Sequence, residues 1–256
     1  MRGLGRASPW PHTRKLHRMR PMYQLSPYVF ACTTGRHCMF LDLHRDRYLS
    51  VQQPLMQSLA PQIDGWLDHD AVSAQILASP EEIAQLADDL VSTGVLRPYD
   101  GSSQSSPTHP PKIDGDFRSL PPRDRAAVPH SFSISALAAL ASADFALRTI
   151  PLWRIIHAIS RRSSGPISAD QPARTEQIGH LAACFRDIRP WYPRNYLCLF
   201  DSFALTLFLL RNGVPTQWTF AVREEPFAAH CWVQHGTVVL NDYLDKARTY
   251  TPIMSI

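Results

Sequence analysis

Short β-forming runs open the readable part of this 256-residue chain. Residues 28–33, 37–43 and 47–51 are rich in β-branched and aromatic side chains, and Thr34-Gly35 and His44-Arg45-Asp46 between them are turn signals. A three-stranded antiparallel meander is expected there. The period then changes from two to 3.6. In residues 79–94, Ser79 suits the cap, Pro80 the first helical position, Glu82 completes a capping box and Gly94 ends the helix. Ile83, Leu86, Ala87, Leu90 and Val91 fall on one face.

From residue 98 to 128 the chain is dense in Pro, Ser and Gly and poor in large apolar side chains, a composition that does not offset the entropy of ordering. It reads as a flexible linker. Beyond it, residues 131–162 are Ala- and Leu-rich with a break expected at Pro151, and residues 172–188 form a second amphipathic helix. Residues 197–210 are almost wholly apolar and stopped by Asn212-Gly213 and Pro215, which predicts a buried helix with Cys198 in its first turn. Residues 216–222 and 230–242 read as a strand and a hairpin. The expected organisation is α+β: a basic tail over 1–21, a first domain over 22–97, the linker, and a second domain over 129–256.

Composition narrows the function. The formal charge is +4 and the pI near 8.9, but Arg2, Arg6, Arg14, Lys15, Arg18 and Arg20 carry the excess. The rest of the chain has slightly fewer basic than acidic residues. No nucleic-acid groove is expected from it. The basic tail lacks the apolar core of a secretory signal, and the longest run free of charged or polar residues, 207–210 or 203–210 if Thr206 is tolerated, is far short of the roughly 20 residues that span a bilayer. Five cysteines without an export signal read as reduced thiols in a cytoplasm.

Cys198 is the first chemical candidate. A thiol at a helix N-terminus meets unpaired N–H groups and the positive end of the dipole, which lower its pKa and can hold an oxyanion. His230 lies on the first hairpin strand and Asp242 at the end of the second. A two-residue turn at His235-Gly236 puts Asn241 on the histidine's face, whereas a three-residue loop over 234–236 puts Asp242 there. Both residues stand as orienting candidates, with Asp242 favoured because a carboxylate also stabilises an imidazolium. Cys231, next along the strand, points away from His230 by alternation and reads as packing. His235 lies at the turn and is expected to be exposed. Cys32, His37 and Cys38 form too small a set for zinc, so no metal is expected.

Leu197-Cys198-Leu199 with Ser202, Ala204 and Leu205, then Asn212-Gly213-Val214-Pro215, His230-x-Trp232-Val233, Gly236 and Val239-Leu240-Asn241-Asp242 resemble the transglutaminase-like cysteine peptidase of lasso-peptide biosynthesis, the B protein. That resemblance implies a Cys198-His230-Asp242 triad on a papain/transglutaminase-like domain. In the fused form of the family a winged-helix-like, PqqD-like module at the front recognises the leader of a ribosomal precursor. The enzyme would cut off the leader, and a partner cyclase similar to asparagine synthetase would close the macrolactam. The chain has no Gly-rich phosphate loop ending in Gly-Lys, so no cofactor is expected on it and any ATP requirement would belong to the cyclase. The family usually has alanine where this chain has Cys231. Leader docking is expected by strand addition to residues 47–51, with Tyr48, Leu49, Leu86 and Leu90 lining a groove. Two alternatives remain open: acyl transfer to an amine by the same residues, and a leader-binding scaffold without catalysis.

Overall fold

The computed structural model describes residues 21–66, 78–102, 112–119, 130–162 and 172–256. The basic tail, apart from residue 21, and linker residues 103–111 and 120–128 lie outside them.

In the front half, β1 (Tyr23–Leu25) is followed by β2 (Val29–Thr33), β3 (His37–Asp42) and β4 (Arg47–Gln52). These last three form the expected antiparallel meander, in the order β2-β3-β4. Helices α1 (Gln53–Leu59) and α2 (Pro80–Ser92) follow, then β5 (Leu96–Pro98), which pairs with β1. The capping box of α2 is complete: Ser79 Oγ accepts from Glu82 N–H, and Glu82 accepts from Ser79 N–H. Gly94 leaves the helix at φ +76°, a conformation that disfavours a side chain.

Strand alternation divides this sheet between two interiors. Val29, Ala31, Cys38, Phe40, Leu49 and Val51 pack with Met56, Leu59, Leu86, Ala87 and Leu90 of the two helices. On the opposite face, Phe30, Cys32, Met39, Leu41 and Tyr48 join the main core of the C-terminal half. The front sheet therefore contributes to both interiors, while Ser50 and Gln52 at its β4 edge are exposed.

The C-terminal half begins inside the segment read as linker, where β6 (Gly115–Asp116) and a 3₁₀ turn (Phe117–Ser119) are ordered structure instead. Its helices are α3 (His130–Thr149), α4 (Leu152–Ser160), α5 (Pro172–Ile188) and α6 (Cys198–Arg211). Pro151 separates α3 from α4, because its ring excludes a continuous helix. The chain closes with β7 (Gln217–Arg223), β8 (Ala228–His235), β9 (Val238–Val239), α7 (Leu244–Ala247) and β10 (Thr251–Ser255).

These strands build a five-stranded sheet in the order β10-β7-β8-β9-β6, with β6 parallel to β9 and the other pairs antiparallel. Helix α6 lies between this sheet and helices α3 and α5. Phe203 of α6 stacks on Trp218 of β7, centroids 5.4 Å apart and nearly coplanar. The edge strand β10 lies against β2 of the front sheet. At the same junction His37 Nδ1 is 2.6 Å from Glu224 Oε1, so this histidine serves a contact between the two halves. Among the described residues, no helix is long and apolar enough to cross a membrane.

Candidate active site

Cys198 is the first residue of α6. The residue before it, Leu197, is extended and its apolar side chain makes no capping bond to the N–H groups of the first turn. A helix start left open in this way is suited to an anion. Tyr196 and Leu197 are exposed, and so is the Cys198 thiol.

The loop before Cys198 is fixed from beneath by a buried arginine. Arg189 donates to the carbonyls of Tyr192 (3.3 Å), Arg194 (2.9 Å) and Asn195 (3.0 Å) and pairs with Asp201 in the first turn of α6. Asp201 Oδ2 in turn accepts Leu197 N–H at 2.8 Å. Both members of this pair are thus satisfied, and the loop leading to Cys198 is held on both sides. Nothing in the spacing of Arg189 or Asp201 marks this role, since the two meet only after the chain reverses at 190–197.

His230 is presented by β8, opposite Ala221 of β7. Its Nε2 donates to Asp242 Oδ2. The ring's second nitrogen is thereby left for Cys198, with which His230 also makes a side-chain hydrogen bond. Tyr250 packs 5.0 Å and Trp232 6.1 Å from the imidazole, shielding the His–Asp bond from water.

Asp242 is held by two further contacts of its own. Its Oδ1 accepts Tyr243 N–H at 2.8 Å and its Oδ2 lies 3.1 Å from Lys246 Nζ. The turn that carries it is anchored from β6, where Asp116 Oδ2 accepts Leu244 N–H at 2.9 Å and Arg118 pairs with the same carboxylate. Asp116 lies within the Pro/Ser-rich stretch. Its flanking Ile113 and Phe117, rare large apolar residues there, are the signal that could have found it.

The hairpin loop has two residues, one of the lengths weighed, but it ends one residue further along than either expected loop. The turn is Gly236-Thr237, with Gly236 at φ +57°, and His235 pairs with Val238. Because His235 is still in the strand, it is buried and its Nδ1 meets the Pro215 carbonyl at 3.2 Å, contrary to the expected exposure. Strict alternation in this register would favour Asn241 on the histidine's face. The chain leaves the sheet after Leu240, whose N–H still bonds Val233, and the bend frees Asp242 to reach His230. Asn241 goes elsewhere: its Oδ1 accepts Val233 N–H at 2.8 Å and its Nδ2 donates to Ser202 Oγ at 2.9 Å, tying α6 to β8.

Cys231 also departs from expectation. Alternation does turn it away from His230, but the face it turns to is the one α6 covers. Its thiol is consequently a hydrogen-bond partner of the Cys198 sulfur.

The electrostatics follow from these contacts. Hydrogen bonds from Cys231 and then His230 outweigh burial and bring the Cys198 thiol down to about 4. Burial opposes a charged imidazole, yet the bonds to Asp242 and Cys198 raise His230 above its ordinary value. Burial likewise opposes a charged Asp242, and its bonds to His230 and Tyr243 N–H still keep it below the ordinary carboxylate value. A thiolate–imidazolium pair oriented by a carboxylate is a nucleophile with its proton donor already charged.

A cavity of about 370 Å³ opens beside Asp242 and the first turns of α6, lined by Phe117, Tyr196, Asp201, Leu205 and Tyr243 among others. Among the described residues, no group of three or more His, Cys, Asp or Glu is arranged to hold a metal ion.

Residues 137–255 match the model of the transglutaminase-like superfamily. This part of the chain is similar to a transglutaminase-like core domain. The match runs from α3 to β10 and spans Cys198, His230 and Asp242. Comparison with curated proteins and with solved structures gave no match. The transglutaminase-like domain suggests a peptidase or acyl-transfer activity.

The four residues expected to line a leader groove do not share one surface. Leu49, Leu86 and Leu90 fill the interior between the front sheet and its helices, while Tyr48 alternates to the other face. There its ring meets Phe227 of the β7–β8 turn, centroids 5.5 Å apart.

Proposed function

We propose that the chain is a cysteine peptidase that binds a ribosomal lasso-peptide precursor through its leader and removes the leader. Cys198 is the nucleophile, His230 the general base and acid, and Asp242 the group that orients the imidazole. The observation that carries this reading is the unbroken contact from Cys198 through His230 to Asp242 at the open end of α6.

In this reading the thiolate attacks the carbonyl of the last leader residue. The oxyanion is held by the uncapped N–H groups of the first helical turn. His230 gives its proton to the leaving amine, which frees the α-amine of the core peptide. Water, deprotonated by His230, then releases the leader from the thioester. The Asp242 carboxylate stabilises the imidazolium throughout.

Leader docking is supported by the unpaired outer edge of β4, which has no strand partner among the described residues. An extended peptide adds to such an edge through main-chain bonds. With three of the four expected groove residues in the interior, this reading rests on the backbone edge. Tethering the leader there raises the scissile bond's effective concentration at Cys198 to roughly millimolar. Macrolactam closure and its ATP belong to an asparagine-synthetase-like cyclase that works as a partner.

The test is mass spectrometry of the precursor incubated with the protein and with its Cys198→Ala variant. Cleavage that adds one water and disappears in the variant is expected. A product that instead carries an added amine assigns acyl transfer, and undiminished cleavage by the variant removes Cys198 from the mechanism.

A further inference from the structure

Two thiols meet at the head of α6, and peptide cleavage uses only one. Cys198 is exposed; Cys231 is buried behind it on the strand face that α6 covers. One contact joins the two thiols, and the helix and strand that carry them are tied together beside it. The two side chains are hydrogen-bond partners. Ser202, one turn beyond Cys198, donates from Oγ to the Cys231 carbonyl at 3.2 Å. Asn241 Nδ2 donates to the same hydroxyl, and backbone pairing opposite Phe220 fixes Cys231 along the strand. The strand side is rigid, whereas the Cys198 side is the first residue of a helix whose neighbour Leu197 is half-exposed.

We propose that Cys198 and Cys231 are a site of reversible oxidation, in which a peroxide converts the pair to a disulfide that silences the nucleophile and shields it from irreversible oxidation. The first step is attack of the Cys198 thiolate on the peroxide. The O–O bond breaks, the sulfur loses two electrons, and Cys198 sulfenic acid forms with release of alkoxide or hydroxide. In the second step the Cys231 sulfur attacks the sulfenic sulfur. The S–S bond forms, the S–O bond breaks, and the departing hydroxide takes the Cys231 proton and leaves as water. A dithiol reverses the reaction by exchange, itself becoming oxidised.

The chemistry of the two positions fits these roles. A low-pKa, accessible thiolate is the species that peroxide oxidises fastest, and an adjacent thiol diverts the sulfenic acid from sulfinic acid. Burial keeps Cys231 protonated, so it does not compete for oxidant. Alanine at position 231 would keep the backbone pairing of β8 and lose the resolving thiol. The inference rests on Cys198 being the reactive thiol of the proposed peptidase, and not on which peptide is cut.

The experiment uses the full chain, reduced and then freed of reductant. Labelling of Cys198 by iodoacetamide at neutral pH is read first, then hydrogen peroxide is added and peptides are mapped without reduction. The expected result is loss of two hydrogens on a peptide pair containing Cys198 and Cys231, a fall in Cys198 labelling of at least about tenfold, and recovery of both by dithiothreitol. In Cys231→Ala and Cys231→Ser the same peroxide adds two or three oxygens to Cys198, and dithiothreitol does not restore labelling. A wild-type map in which Cys198 carries those oxygens, or pairs with Cys32, Cys38 or Cys184, overturns the proposal whether or not the variants fold. If Cys198 resists iodoacetamide before peroxide is added, the reactive-thiol reading fails and this proposal with it. Ready labelling followed by sulfinic acid and no cross-link removes the disulfide alone.

Discussion

The two sheets use strand alternation differently. In the front sheet, successive apolar residues go to two separate interiors: Leu49 packs into the interior shared with α1 and α2, and Tyr48 joins the C-terminal core. In the C-terminal sheet His230 sits on the regular strand β8, while the other two candidate residues sit where alternation stops. Cys198 lies where a loop becomes a helix, and Asp242 where a strand has become a bend. A regular sheet supplies a fixed surface, and its irregular ends supply the reach that brings three side chains from separate segments to one point.

The largest expected effect breaks the C-terminal side of this contrast. Cys198→Ala or His230→Ala lowers cleavage of the precursor by at least about 10³-fold while thermal unfolding is little changed, as followed by mass spectrometry and calorimetry. The front sheet answers in the opposite way. Leu90→Ala removes a buried side chain from the interior under β4 and costs about 2–5 kcal/mol in urea unfolding, with Cys198 labelling unchanged in the folded protein.

The adjacent pair Asn241 and Asp242 sharpens the comparison within one bend. Asp242→Ala lowers kcat by about 10²-fold or more with a small change in stability. Asn241→Ala leaves Val233 N–H and Ser202 Oγ without their partner and costs about 1–3 kcal/mol in unfolding, with kcat moved far less. Equal losses of kcat in both variants would erase the distinction. The smallest effect is expected one step further out. Asp116→Asn keeps the shape, weakens the acceptor for Leu244 N–H, and lowers kcat by only about two- to tenfold.

The regular parts were legible from residues alone. Ser79, Pro80, Glu82 and Gly94 mark both ends of α2 by local chemistry, and the meander follows from turn residues and β-formers. Cys198 was legible because an apolar helix with loop residues at its head has a definite start. Asp242 was named, but through a three-residue loop that does not form, since period-two reasoning holds only while the chain stays in the sheet. The Cys231 contact was missed because alternation says which face a side chain takes and not what covers that face. Asp116 was hidden by averaging composition over a stretch in which a few residues, Ile113, Asp116 and Phe117, are held by distant partners. Arg189 and Asp201 were hidden because a buried ion pair across a loop has no sequence period.

The charge state of Cys198 is the most direct test of the account. Above the lowered Cys198 value the sulfur is a thiolate, and below the raised His230 value the imidazole beside it is charged, so the ion pair spans the interval between them. The rate of Cys198 alkylation by iodoacetamide, read by peptide mapping from pH 3 to 10, is predicted to rise to its half-point at about 4 and to be largely developed well below neutrality. His230→Ala is predicted to move that half-point upward. A half-point near 9, the ordinary thiol value, in the wild-type protein would contradict the account.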